Sequence, residues 1–213
     1  MSEIILPISI GEALDKLTIL DIKLDMIKDH RKNLVKIEYD LLYDKLKEYT
    51  IKYQFLYLIM KKINTEIWIE MDKLRDSSIT DNDYIILCKK TIIDNDIRFR
   101  IKNKINNISN SSIKEQKGYN VINVYLNLNN FDINLHSIII QYWSLRYDET
   151  IVLSNLSKEL IDKFSYDNTI KFILDEPNIN TFNYTFNLEL TDDINTLIKK
   201  INLSKDEINL YLC

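Results

Sequence analysis

The chain has 213 residues, of which 46% are hydrophobic and 28% charged, so it can bury a core and is too apolar for a disordered chain. Its net charge of −4 gives no general attraction to nucleic acid, and we expect no nucleic-acid partner. The chain has two glycines, Gly11 and Gly118, which argues against a P-loop, a GxGxxG turn and a GxSxG elbow, because each needs several. Two histidines and two cysteines argue against a structural zinc site, and we predict neither a metal nor a cofactor.

The distribution of apolar residues predicts where the protein is found. No apolar run approaches the roughly 20 residues that a membrane helix needs, so we predict no membrane span. The start Met1-Ser2-Glu3 lacks the basic region of a secretory signal, and two lone cysteines are typical of free thiols in a reducing compartment. We therefore predict a cytoplasmic protein, and the richness in Ile, Asn, Lys and Tyr is typical of AT-rich microbial or viral genomes.

The first half of the chain has mostly helical spacing of its apolar residues. Ser9 followed by Glu12 is a capping box, which predicts that a helix begins after Ser9. Three more helices are predicted at about 33–47, 53–75 and 82–107, the last capped by Thr80. In the second helix the residues predicted to face inward are Leu34, Ile37, Leu41 and Leu42. Long helices with short links predict an antiparallel helical bundle as the first domain, residues 1–119.

After Gly118 the pattern changes to short β-rich runs, and acidic side chains outnumber basic ones. Strands are predicted at 121–128, 150–153, 169–174 and 181–190, and helices at 134–147, 157–164, 191–202 and 204–213, with Ser157 capping the second of these helices. This alternation predicts a small α/β domain at residues 120–213 with a mostly parallel, half-Rossmann-like sheet. The whole chain is thus predicted to be an α+β protein in two parts.

Several charged side chains of the first half are candidates for one polar cluster. They are Glu12, Asp15, Lys16, Asp72, Arg75, Asp96 and Arg98. Capping and surface pairing explain each of them separately, but we expect at least Asp15 and Arg98 to converge, either as a structural pair or as part of a binding site. Trp68 is interpreted as a core residue or an interface anchor.

Two further candidates lie elsewhere. In the second half, Asp132 and His136 could form an acid–base pair, although a histidine near a helix start with a single local carboxylate favours a non-catalytic role. A basic run on the fourth helix is interpreted as a solvated face. Its members are Lys89, Lys90, Arg98, Arg100, Lys102 and Lys104.

The opening run from Pro7 to Lys23, PISIGEALDKLTILDIK, resembles the start of a bacterial domain family of unknown function. The resemblance covers about residues 4–119. It continues through Asn64, Trp68, Asp72, Arg75, Asn95-Asp96-Ile97-Arg98, Lys102, Ile105 and Asn106, and it ends at Glu115-Gln116-Lys117-Gly118-Tyr119. Members of that family occur among lipopolysaccharide and capsule biosynthesis genes, so the resemblance implies a helical module in a glycan-assembly context.

The second half resembles the first lobe of heptosyltransferase-type glycosyltransferases. The run Tyr147-Asp148-Glu149-Thr150-Ile151-Val152-Leu153 is similar to one of their strands, and Asp132 stands where their glycine-rich turn ends in Asp. Residues 128–131, Leu-Asn-Asn-Phe, replace the glycines of that turn, and too few residues follow for a second lobe. The resemblance therefore implies a shortened, inactive half.

We interpret the chain as a non-enzymatic accessory protein of glycan or surface-polysaccharide assembly with a protein partner. One alternative is a glycosyltransferase-like enzyme that uses Asp132 or His136 on a sugar nucleotide and is completed by a partner chain. A second alternative is a purely structural helical protein.

Overall fold

The computed structural model describes residues 6–118, 120–154 and 158–212. The chain divides after Glu115 into two compact units. We call residues 1–115 the helical unit and residues 116–213 the α/β unit. The α+β class predicted from the sequence is confirmed.

Four helices make up the described part of the helical unit. They are α1 (Ile10–Met26), α2 (Arg31–Lys52), α3 (Gln54–Leu74) and α4 (Asp81–Ile108). The predicted caps are confirmed, since the side chain of Ser9 accepts a hydrogen bond from the backbone of Glu12 and that of Thr80 accepts one from Asp83. Tyr53 alone separates α2 from α3. Its N–H donates to the carbonyl of Tyr49 at 2.9 Å, so helical hydrogen bonding continues across the junction.

Gly11 allows α1 to approach α4 closely. Its N–H donates to Oδ1 of the buried Asn106 at 2.7 Å. A Cβ atom at Gly11 would lie 2.4 Å from the carbonyl oxygen of Lys102 and 2.8 Å from Asn106 Oδ1. Any larger residue would therefore separate the two helices, which explains why one of the two glycines stands here.

The inward face predicted for α2 is wrong at three of its four residues, and Leu42 alone of the four is half-buried. Leu34, Ile37 and Leu41 are 60–70% exposed, and Leu46 is the buried residue of this helix. The half-buried and buried positions follow a neighbouring stripe with the same spacing of three and four residues, namely Val35, Tyr39, Leu42, Leu46 and Tyr49. The helix thus turns its tyrosine-containing stripe inward.

The α/β unit contains four described strands in one parallel sheet of order β3-β2-β1-β4. In chain order its elements are β1 (Asn123–Leu128), α5 (Ile133–Ser144), β2 (Glu149–Ser154), α6 (Lys158–Phe164), β3 (Ile170–Ile173), a 3₁₀ turn (Ile179–Thr181), β4 (Tyr184–Leu188), α7 (Ile194–Ile201) and α8 (Lys205–Leu212). The sheet is parallel throughout, as the βα alternation predicted. The strand order reverses between β1 and β4, which is the position where open α/β sheets bind ligands.

Contacts between aromatic side chains show which elements cover each face of the sheet. The Trp143 ring of α5 lies 4.9 Å from the Tyr184 ring and 5.7 Å from the Phe186 ring of β4, so α5 covers one face of the sheet. On the opposite face Tyr125 stacks on Phe182 of the β3–β4 connection, with ring centroids 5.4 Å apart.

Some predicted boundaries of the α/β unit move. The first strand begins at Asn123 rather than at position 121, and α7 begins at Ile194 because Asp193 accepts a hydrogen bond from Thr196 N and caps the helix. The predicted cap Ser157 lies outside the described residues. Over the ranges that the structure describes, no helix combines the length and apolarity needed to cross a membrane.

Candidate functional site

The centre of the helical unit holds a buried carboxylate. Asp15 is 1% exposed and accepts hydrogen bonds from Asn64 Nδ2 at 2.8 Å and from Arg98 Nε at 2.8 Å. Arg98 also donates from a terminal nitrogen to the second oxygen of Asp15, which makes the pair bidentate. Asn64 uses its other N–H on the hydroxyl of Thr18 at 2.8 Å. The expected convergence of Asp15 and Arg98 is confirmed, over 83 residues of sequence.

The hydrogen bond to Asp15 raises the pKa of Arg98, so this guanidinium stays charged. Its side chain is 25% exposed, whereas that of Asp15 is 2% exposed. Asp15 is therefore neutralised from one side by a cation that still reaches the surface of the unit.

A second ion pair lies one turn away. Lys102 Nζ contacts Glu12 Oε2 at 2.9 Å and Glu115 Oε2 at 2.5 Å. Burial lowers the pKa of Lys102, but its hydrogen bonds to Glu115 and Glu12 outweigh burial and raise it overall. The Glu12 carboxylate thus bonds to α4, whereas a capping box would direct it to the backbone of Ser9.

An open cavity of about 270 Å³ adjoins the Asp15–Arg98 pair. Its polar lining comes from Asn64, Arg75 and Arg98, and its largely apolar lining from Ile19, Ile67, Trp68 and Met71. The lining residues from α3 and from its C-cap, Arg75, recur at intervals of one, three or four positions, which places them on one face of that helix. The sequence shows this spacing, but it does not show a cavity. From the sequence, Ile67 and Met71 are interpreted as core residues and Trp68 as a core residue or an interface anchor.

The other members of the predicted cluster are placed differently. Arg75 lies at the rim of the cavity with its side chain 68% exposed, and Asp72 contacts its Nη1 at 3.3 Å. Lys16 is outside the cluster and forms an exposed ion pair with Glu38 at 2.7 Å, because it follows Asp15 by one residue and so turns about 100° around α1. Asp96 is half-buried on α4.

A separate acidic cluster surrounds Lys90. Glu66, Glu70 and Asp94 bring carboxylate oxygens within 4.8 Å of one another, and the Lys90 ammonium donates a hydrogen bond to each of the three. Burial raises the pKa of Asp94 to about 6. The ammonium group stands among the carboxylates as their counter-charge. Two pairs spaced four residues apart, Glu66–Glu70 and Lys90–Asp94, were the sequence signal for it.

The basic run on α4 does not form a solvated face along its length. Arg100, Lys102 and Lys104 are 5–8% exposed, whereas Lys89 and Lys90 are exposed. The prediction fails at the second part of the run because the carboxylates of Glu12 and Glu115 bind Lys102 there.

In the α/β unit, the position between β1 and β4 is closed by hydrogen bonds. Asn130 is 7% exposed, and its Nδ2 donates to the carbonyls of Glu189, Leu190 and Asp192 at 3.3, 3.2 and 2.7 Å. Asp132 caps α5, since its Oδ1 accepts from the backbone of Asn134 at 2.8 Å and of Leu135 at 3.3 Å. These amides are the ones that would hold a phosphate in a nucleotide-binding unit.

His136 lies one turn into α5 and is 3% exposed. Burial lowers its pKa, against the opposing effect of a hydrogen bond with the backbone of Asn130, so the neutral ring is favoured. No described residue gives Nε2 a hydrogen bond. His136 is therefore a buried histidine of the core, whereas a catalytic acid or base would need access to solvent or substrate.

The comparisons with known proteins place the chain in a family. The profile of DUF6165, a family of unknown function, matches residues 4–127, more than half of the chain, and the chain therefore belongs to this family. The match passes Glu115 and ends inside β1. Neither the curated proteins nor the solved structures include a significant match.

Proposed function

We propose that this DUF6165 protein is a non-enzymatic accessory protein of glycan or surface-polysaccharide assembly. It acts by binding through the helical unit, and the α/β unit is a transferase-like lobe without catalytic function. Two features support the binding role: a cavity on the helical unit, and a buried ion pair beside it whose guanidinium still reaches that cavity.

The observation that carries the proposal is the capped end of α5. Sugar-nucleotide enzymes of the α/β type place a diphosphate at a helix N-terminus beside the strand-order reversal. Here the carboxylate of Asp132 occupies the first free amides of that helix, and Asn130 ties the β1 loop to the β4 loop. A phosphate at this place would meet a like charge and a closed loop.

The rival enzyme needs Asp132 and His136 to move a proton. Asp132 is engaged as a helix cap, and His136 is buried with a lowered pKa. A general acid or base must reach the reacting group within hydrogen-bond distance; burial denies this to His136, and Asp132 already binds two backbone amides through Oδ1.

The glycan context rests on the resemblance of the opening run, Pro7 to Lys23, to a family found among polysaccharide genes. Residues of that resemblance build the site, since Asp15 and Arg98 form the buried pair and Asn64, Trp68 and Arg75 line the cavity. The binding function is therefore assigned to the same residues that carry the resemblance.

Calorimetry and turnover assays with UDP-, GDP-, ADP- and CMP-activated sugars test the proposal. We expect no binding in the low micromolar range and no transfer or hydrolysis. The matched variant is Asp132→Ser, which keeps a helix cap and removes the charge. Turnover by the natural chain that is lost in Asp132→Ser or His136→Ala would replace the proposal by the enzyme alternative.

The accessory role has its own test. A tagged chain recovered from its native host should carry glycan-assembly enzymes, and an untagged competitor should displace it from them. Recovery with a fixed set of proteins from another process would contradict the glycan context and leave the binding role standing.

A further inference from the structure

We propose that the cavity beside the Asp15–Arg98 pair binds a small hydroxylated ring that carries a carboxylate or a phosphate. Arg98 and Arg75 hold the anionic group, and Trp68 holds the ring. This deepens the binding function proposed above and rests on it. The ligand class follows from the donors, the acceptor and the apolar wall that line the cavity.

Arg98 is an oriented cation with donors to spare. Asp15 takes Nε and one terminal nitrogen of its guanidinium. The other terminal nitrogen has a 3.5 Å contact with Asn95 Oδ1, at the outer limit of a hydrogen bond. A guanidinium held side-on by one carboxylate presents its remaining N–H groups in a fixed plane, which matches a carboxylate or phosphate oxygen.

Arg75 supplies the second positive charge at the rim. Its contact with Asp72 is 3.3 Å long, and both side chains are more than 60% exposed. Exposed pairs of this kind contribute little, so an incoming anion can compete with Asp72 for the guanidinium. The guanidinium of Arg98 is therefore held in one orientation, whereas that of Arg75 can reorient toward a bound anion.

Asn64 provides an acceptor for a hydroxyl group. Its Nδ2 group is used on Asp15 and Thr18, which directs both N–H bonds into the helical unit. The side-chain oxygen remains as an acceptor at the cavity wall, where Asn64 is a lining residue. A hydroxyl group of the ligand can donate to it.

The remaining wall is apolar. Ile19, Ile67, Met71 and the Trp68 indole form it. A flat aromatic face beside aliphatic side chains suits the C–H face of a saturated ring. The volume of about 270 Å³ lies just below the range of about 300–1,000 Å³ typical of drug-sized ligands, which suits a single ring with its substituents.

Tryptophan fluorescence gives a direct assay. The chain has two tryptophans, so the variant Trp143→Phe leaves Trp68 as the reporter at the cavity. The probes are glucuronate, which carries the carboxylate, glucose 6-phosphate, which carries the phosphate, and glucose as the neutral control. We expect one acid probe to change the fluorescence saturably, with a Kd at least tenfold below that of glucose, and the tighter acid identifies the preferred anion.

The matched variants lie at the C-terminal end of α3, Lys73 in the last turn and Arg75 at the C-cap. Arg75→Ala should raise the Kd of the acid probe at least tenfold, whereas Lys73→Ala, which removes the same charge outside this cavity, should leave it within twofold. Both positions are exposed, so folding is not at risk. Calorimetry on Trp68→Leu repeats the test without fluorescence and should show the same loss.

Equal binding of glucose and both acids, an unchanged Kd in Arg75→Ala, or no response to any probe would overturn the inference. None of these results depends on sugar-nucleotide turnover. The failure of this inference is therefore distinguishable from the failure of the proposed function.

Discussion

Replacing Gly11 by alanine is the sharpest single test of the helical unit. The new Cβ would lie 2.4 Å from the carbonyl oxygen of Lys102, whereas ordinary contacts are about 3.5 Å or longer. Because the atom in the way belongs to the α4 backbone, α1 must move by about 1 Å. This movement would also break the 2.7 Å hydrogen bond from Gly11 N to Asn106 Oδ1.

The magnitude follows from three contributions. Overpacking costs about 1–3 kcal/mol, and leaving the buried Asn106 oxygen without its partner costs about 1–3 kcal/mol. Alanine regains up to about 1 kcal/mol of helix propensity. The free energy of unfolding of the helical unit should therefore fall by about 1–6 kcal/mol, with about 3.5 kcal/mol from the middle of each range.

Urea unfolding in the Trp143→Phe background measures this change, because Trp68 then reports on the helical unit alone. At a slope of about 2 kcal/mol per molar urea, the middle of the typical range, a loss of about 3.5 kcal/mol lowers the midpoint by about 2 M. The control is Gly118→Ala, at a position where an added Cβ meets nothing within 4 Å and φ is not positive. A midpoint for Gly11→Ala equal to that of Gly118→Ala would refute the close approach of α1 and α4.

Three further predictions use urea unfolding, the first two with Trp68 as the reporter and the third with Trp143 as the reporter, each in a variant that lacks the other tryptophan. Arg98→Ala should lower the free energy of unfolding by about 3 kcal/mol, because it leaves Asp15 as a buried carboxylate without its counter-charge. The control Lys36→Ala, which breaks an exposed ion pair, should change it by about 0.5 kcal/mol or less. Equal effects of the two substitutions would contradict the buried pair. Burial raises the pKa of Asp94 from 3.8 to about 6, so between these pH values the folded chain binds a proton that the unfolded chain releases. The stability that this proton contributes should therefore decline as the pH rises from about 4 to 6. Asp94→Asn should remove that decline, and a pH profile unaltered in the variant would exclude Asp94 as its source. Burial lowers the pKa of His136 below its ordinary 6.5, so the unfolded chain takes up a proton first as the pH falls. The α/β unit, whose unfolding Trp143 fluorescence reports, should therefore lose stability below about pH 6.5. His136→Gln should abolish this loss, and a loss that persists in the variant would place the titrating group elsewhere.

Local chemistry made the helices and the parallel sheet predictable. Ser9 and Thr80 accept backbone N–H groups in the first turn of their helices, and this capping depends on residues within three positions. The inward face of α2 was not predictable in this way. Two adjacent stripes of that helix have the same spacing, and which one is covered depends on where α1 lies. Leucine and isoleucine suggested the outer stripe, whereas the buried stripe contains Tyr39 and Tyr49.

The candidate site was predictable at its charged pair and not at its walls. Asp15 and Arg98 attracted attention because they are opposite charges on two helices that an antiparallel bundle can bring side by side. Asn106 did not, because an asparagine near a helix end suggests termination, yet it is 1% exposed and binds Gly11. Trp68 resembled a core residue in the pattern, and only the arrangement of α1, α3 and α4 shows the space beside it.

The cavity takes the side chains of Asn64, Trp68 and Arg75 from one uninterrupted stretch formed by α3 and its C-cap residue, Arg75. A helix turns by about 100° for every residue, so a single insertion or deletion between Asn64 and Arg75 would send the outer residues to another side. Relatives that keep this site should therefore preserve the number of residues in that stretch while their sequences drift. Length differences among them should collect in the turn at 76–80, where an extra residue leaves the helical register of the lining intact.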